Sequence, residues 1–177
     1  VIAGTANDGS DGQIEKAVLW SGPNKTIQTL GLGRITDDGL NASPYVAGLS
    51  AHGTVIVGSA TNNTDTYAWM WTPQDSNIRK FMPNPFYRGY SDAAGLSLDG
   101  TTIVGTVSAS QDQNHLQAYA YSIPTGTLRL LGVLNNSTGA SVFSYGLAIN
   151  QDGSIVVGQA SDGHSLDRKS TRLNSSH

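Results

Sequence analysis

Ala94-Gly-Leu-Ser-Leu-Asp-Gly-Thr-Thr-Ile-Val-Gly105 reads as two short strands joined at an Asp-Gly turn. The same phrase stands earlier as Ala47-Gly-Leu-Ser-Ala-His-Gly-Thr-Val-Ile-Val-Gly58. It returns as Leu147-Ala-Ile-Asn-Gln-Asp-Gly-Ser-Ile-Val-Val-Gly158, and a remnant, Val1-Ile-Ala-Gly4, opens the chain. A phrase that recurs at this interval is the mark of a repeat architecture.

Two further blocks keep step with the hairpin. Ala17-Val-Leu-Trp20, Ala68-Trp-Met-Trp71 and Ala118-Tyr-Ala-Tyr121 place their final aromatics 51 and 50 residues apart. Ile27, Ile78 and Leu128 follow those aromatics by seven residues, and Leu30, Phe81 and Leu131 by ten. Constant offsets of this kind predict one tight hairpin per unit, with turns at Ser21-Gly-Pro-Asn-Lys25, Thr72-Pro-Gln-Asp-Ser76 and Ser122-Ile-Pro-Thr-Gly126. Each unit therefore holds four strand candidates, and no apolar stripe has helical spacing.

Strand alternation puts Trp69 and Trp71 on one face and Ala68 and Met70 on the other. Both faces are apolar, large residues on one and small on the other, as in a strand covered on both sides. The fold expected is all-β: a β-propeller-like array of about three four-stranded repeats of roughly 50 residues, forming an open ring. The approximate units are 1–52, 53–100 and 101–153, with the start of another over 154–166. A β-solenoid with two coils per unit is the alternative.

Chain length varies in two places only. The connection from each Val-Gly strand to the next Ala-x-x-aromatic strand changes length, and so do the loops over 32–43, 83–91 and 133–141. Loops that vary while strands hold their spacing are where recognition usually resides.

Charged residues are 13% of the chain and there are 21 glycines and no cysteine, a profile that suits a β-rich exported protein and excludes disulfides and Cys-based metal sites. Residues 167–177 resemble a sequencing adapter translated in frame and are set apart as a non-native, disordered tail. That tail carries Arg168, Lys169 and Arg172 against Asp167, a net of +2, so the formal charge of −3 becomes −5 without it. The remaining cations are scattered, which argues against a nucleic-acid partner. No apolar run reaches the length of a membrane helix, so no membrane contact is expected within these residues. The chain is expected to be a fragment open at both ends, completed by the remaining repeats of a parent chain.

Ala-x-x-Trp, then Leu-Gly, then Ala-x-Gly-Leu-Ser-x-Asp-Gly-x-x-Ile-Val-Gly resembles the HAF-type extracellular repeats of bacteria. The match runs through the three long phrases above together with Trp20, Trp71, Leu30-Gly31 and Leu131-Gly132. His52 departs from it where Asp99 and Asp152 stand, as do Tyr121 in place of Trp and Met82 in place of Gly. The resemblance implies a secreted or cell-surface protein, of the kind found in autotransporter passengers held by a barrel in the outer membrane. It offers no catalytic motif.

Candidate chemistry is sparse. Asp99-Gly100 and Asp152-Gly153 lack the spacing of a sialidase Asp-box and read as turns. Asn7-Asp-Gly-Ser-Asp-Gly12 offers oxygen ligands without a regular Ca²⁺-loop spacing, so no metal is assigned. Glu15 is the only Glu, and Asp37 and Asp38 are adjacent, which is a poor start for the facing carboxyl pair of a glycosidase. His52, His115 and His164 have no ligand spacing. No catalytic residue and no cofactor are assigned. The recognition candidates are Phe86, Tyr87 and Tyr90, in a loop stiffened by Pro83 and Pro85; the alternative role for these rings is to cap the gap between two units. The function expected is a non-enzymatic repeat module for display, adhesion or binding of a protein or glycan ligand. The alternative is an arc of a carbohydrate-active propeller enzyme whose catalytic residues lie mostly elsewhere.

Overall fold

The computed structural model describes residues 1–7, 9, 15–30, 34–35, 40–41, 43–61, 65–75, 78–81, 89–109, 115–134 and 142–161. Among them every regular element is a strand. The first sheet holds β1 (Ile2–Ala6), β2 (Lys16–Ser21) and β3 (Thr26–Thr29), followed by a small pair, β4 (Arg34–Ile35) and β5 (Leu40–Asn41). The second sheet runs β6 (Ser43–Leu49), β7 (Ile56–Thr61), β8 (Thr66–Trp71), β9 (Arg79–Phe81). The third runs β10 (Gly95–Leu96), β11 (Thr102–Ser108), β12 (Leu116–Ser122), β13 (Thr127–Gly132), and β14 (Ser144–Ile149) with β15 (Val156–Ala160) makes a final pair.

All pairings are antiparallel between neighbours in sequence, and each sheet is complete within its repeat. These are the separate stacked sheets expected of blades; a β-solenoid would pair strands between successive coils. A full sheet begins with the Gly-Leu-Ser strand, so it is offset by one strand from units counted from Val1. The offset of seven residues is a direct cross-strand pair, Trp20 with Ile27 and Tyr121 with Leu128.

The apolar core lies between sheets. Ala17, Leu19 and Leu30 of the first sheet meet Ile56, Ala60, Trp69, Trp71 and Ile78 of the second in one buried cluster. On the opposite face of the second sheet, Val57, Ala68 and Phe81 meet Ala93, Leu96, Ile103, Val107 and Tyr119 of the third. Trp69 and Ala68 therefore face opposite neighbours and are both 0% exposed, as strand alternation requires. Phe81 and Tyr121 meet edge to face at 4.5 Å across the second boundary. The outermost faces are less covered at several equivalent positions: Ile27 is 60% exposed where its equivalent Ile78 is 5%, and Val157 is 39% where Val57 is 0%, although Val18 on the outer face of the first sheet is buried. The array is open.

Candidate functional site

The repeated hairpin is a structural device. In each copy a bulge on the first strand sets an extra residue, Ala47, Ala94 or Leu147, against the Val-Gly strand. The bulge turns a carbonyl toward the facing glycine, and a Cβ on Gly58, Gly105 or Gly158 would collide with the carbonyl oxygen of Tyr45, Asp92 or Tyr145. That is why the phrase ends in Gly.

The Asp-Gly turn differs in type from a two-residue loop with positive φ at both positions. Only the glycines, Gly53, Gly100 and Gly153, have positive φ, at 69°, 75° and 76°. Their amides donate to the carbonyls of Ser50, Ser97 and Asn150, closing four-residue loops. Ser97 Oγ accepts the Thr102 amide at 2.9 Å and Asn150 Oδ1 accepts the Ile155 amide at 2.8 Å, so Asn replaces Ser without losing the acceptor. Asp99 and Asp152 accept the amides and hydroxyls of Thr101 and Ser154. Hydrogen bonds from Ser97 and Thr101 hold the Asp99 carboxyl below its ordinary range, and those from Ser154 do the same for Asp152. These carboxylates are occupied as turn acceptors. His52 supplies no carboxylate.

Neighbouring sheets are tied at both ends. At the hairpin end the Ala51 amide donates to the Leu98 carbonyl at 2.8 Å, and the Leu98 amide to the Gln151 carbonyl at 3.0 Å. At the other end the Ala68 amide donates to Ser91 Oγ at 3.1 Å, and the Ala118 amide to Ser144 Oγ at 2.9 Å. The Ala of the Ala-x-x-aromatic block and the Ser opening the next sheet are thus one device. Pro44 stands at the equivalent position in the second sheet and lacks the hydroxyl.

Antiparallel order separates the connections by end. The hairpin turns and the turns at 21–25, 72–75 and 122–126, which hold nearly constant lengths, join the strands at one end of the array. The strand ends joined by connections of varying length, Thr61 to Thr66, Ser108 to Leu116, Phe81 to Ser91 and Gly132 to Ser144, lie at the other.

The variable end carries a polar-aromatic group. Tyr90 Oη donates to Asp92 Oδ2 at 2.8 Å, the Thr106 amide donates to Oδ1 at 2.6 Å, and the fully buried Tyr119 donates its hydroxyl to the Asp92 carbonyl at 2.7 Å. Burial pushes the Asp92 carboxyl up despite those donors, and burial with the Asp92 charge pushes the Tyr90 and Tyr119 phenols up. Tyr45, 66% exposed, and Tyr145 occupy the position of Asp92 in the flanking sheets. Phe143 and Tyr145 rings lie 5.0 Å apart, and Lys80 Nζ sits 3.6 Å above the Tyr67 ring.

Of the three recognition candidates, Tyr90 is half-buried and tied into the third sheet by its hydroxyl and by backbone pairing with Ser108, while Phe86 and Tyr87 lie outside the described residues. Asp8, Asp11, Asp37, Asp38 and the tail over 167–177 also lie outside them. Asp92 escaped sequence reasoning, although a carboxylate in a column otherwise filled by Tyr45 and Tyr145 marks it as the odd member. Among the described residues no three His, Asp or Glu side chains gather as a metal site, and no helix is long and apolar enough to cross a membrane.

No family model and no curated protein sequence matches the chain. Solved structures do. TolB from Acinetobacter baumannii superimposes with a TM-score of 0.62 at 15% identity, over 97% of this chain and 37% of that one. A putative TolB from Agrobacterium tumefaciens gives 0.57 at 14%, over 93% of this chain and 52% of that one. The fold is that of a β-propeller. At such identities the likeness concerns the fold alone, and this chain spans 37% and 52% of those two proteins' length.

Proposed function

We propose that the chain is a non-enzymatic recognition module of an exported bacterial surface protein, binding a protein or glycan ligand through the end where its variable connections meet. The observation that carries this reading is the separation of ends: fixed turns, hydrogen-bonded from sheet to sheet, on one side, and variable connections with Tyr45, Tyr67, Tyr145 and Asp92 on the other. Tyr45 is exposed while Tyr67 and Tyr145 are half-buried, and accessible aromatic rings beside hydrogen-bonding groups are the usual means of holding sugar faces and protein side chains. The HAF-like repeats support export, and the anchoring barrel of a longer parent chain belongs to the same proposal.

A glycan and protein array probed with the chain tests it. The reading predicts a restricted set of ligands whose signal falls in Tyr45→Ala and in a Phe86→Ala/Tyr87→Ala double variant, with thermal melting unchanged. Binding that survives both variants and is lost in Asp99→Ala would place recognition at the hairpin end and overturn it.

A further inference from the structure

A cleft of about 150 Å³ opens between the third sheet and the final pair β14–β15. Among its walls are Ala118 and Leu131 from the third sheet and Val156, Gly158 and Ala160 from β15. Each has an equivalent in the two boundaries already filled. Ala17, Leu30, Ile56 and Ala60 are the corresponding members of the cluster that buries Trp69, whose ring packs over Gly58. Ala68, Phe81, Ile103 and Val107 are the corresponding members of the cluster that buries Tyr119. In both cases the aromatic residue pairs directly with the glycine, Gly58 with Trp69 and Gly105 with Tyr119. The cleft is the third copy of this socket, with the glycine in place; the aromatic residue of its lining is Tyr145, on β14, and among the described residues none stands at the position that Trp69 and Tyr119 take beside their glycines. Its size matches the space that admits a benzene-sized ring in a protein interior.

Among the described residues the edge beside the socket is open as well: β7 and β11 each pair on both sides, whereas β15 pairs with β14 alone. Val157, whose equivalents Val57 and Val104 are 0% exposed, stands 39% exposed.

We propose that β15 and this cleft form an acceptor site for one more strand of the repeat type. The strand adds antiparallel to β15 and carries a small residue followed by an aromatic one, as Ala68-Trp69 does in β8. Its backbone completes the open ladder and its ring enters the socket over Gly158. The donor is a further copy of the repeat, because the two filled sockets of the same chain accept only such strands.

The test uses the full chain and a synthetic peptide copying residues 65–81, with a second peptide in which the residue corresponding to Trp69 is Ala. Anisotropy of the labelled peptides gives affinity, and amide exchange of the chain gives location. The expected result is saturable binding of the first peptide with new protection of the Val157 and Gln159 amides. Loss of the ring should weaken binding about tenfold or more. Equal affinity of the two peptides, protection confined to β1, or no binding by either would each overturn the proposal.

Discussion

The Ala68 amide reaches across a sheet boundary to Ser91 Oγ at 3.1 Å, and Ala118 repeats the contact with Ser144 at 2.9 Å. Ser91 and Ser144 are only 6% and 4% exposed, so water does not replace the bond if the hydroxyl is removed. A buried donor left without a partner costs about 1–3 kcal/mol. Ser91→Ala and Ser144→Ala should each lower the unfolding free energy by about that amount in urea titrations followed by circular dichroism. Ser144→Ala should be the more severe, because Ser144 Oγ also donates to the Gly132 carbonyl at 2.6 Å.

The glycines divide into two kinds, and substitution separates them. Gly105→Ala forces a methyl group against the Asp92 carbonyl, and the antiparallel pair cannot open without breaking the ladder. Gly22 has φ 72° with no atom within 4 Å of a Cβ, so Gly22→Ala meets only the left-handed backbone cost of about 1–2 kcal/mol. Melting temperatures should rank wild type above Gly22→Ala above Gly105→Ala, with Gly105→Ala losing about 3 kcal/mol or more.

His52→Asp should stabilise the second sheet. The substitution supplies the acceptor that Asp99 gives to Thr101, with Thr54 in the equivalent place. The Thr54 amide already donates to Ser50 Oγ at 3.1 Å, so the gain is one bond, from the Thr54 hydroxyl, worth about 0.5 kcal/mol at an exposed turn. The new carboxyl takes a lowered folded-state pKa, as Asp99 and Asp152 do. Its contribution is therefore present above the unfolded carboxylate pKa and lost as pH falls through the folded one. Melting curves of the variant and wild type should converge in acid.

Asp92 has the opposite sign. Its folded-state pKa is raised by burial, so the folded state holds the proton more tightly than the unfolded chain. Its favourable contribution is complete below the unfolded value and is lost as pH rises through the raised folded value. The stability difference between wild type and Asp92→Asn should drift against wild type over that window and level off beyond it. A difference that is flat with pH, measured by urea midpoints, would refute the assignment.

Much of the fold was legible because the repeat states each rule several times. The offset of seven became the Trp20–Ile27 pair, and alternation separated Trp69 from Ala68. Less legible was anything created by two distant segments meeting. Gly58 reads as a strand glycine until the bulge at Ala47 brings the Tyr45 carbonyl against it, and the turn type depends on the loop closing at Ser50. Ser91 looks like loop composition, and only the stacking of sheets makes it the acceptor for Ala68. Asp92 was hidden for the same reason: its partners Tyr90, Thr106 and Tyr119 come from three strands or their flanks.

Amide hydrogen exchange at the sheet boundaries tests the stacked-blade arrangement most directly. Ala51, Ala68, Leu98 and Ala118 donate to acceptors in the next sheet, so their protection depends on the stacking. If the sheets stack as described, all four amides exchange slowly, on the scale of ladder amides such as those of Val104 and Tyr119. Loop-like rates at these four, with the ladders within each sheet still protected, would show that the sheets form but do not stack in this register.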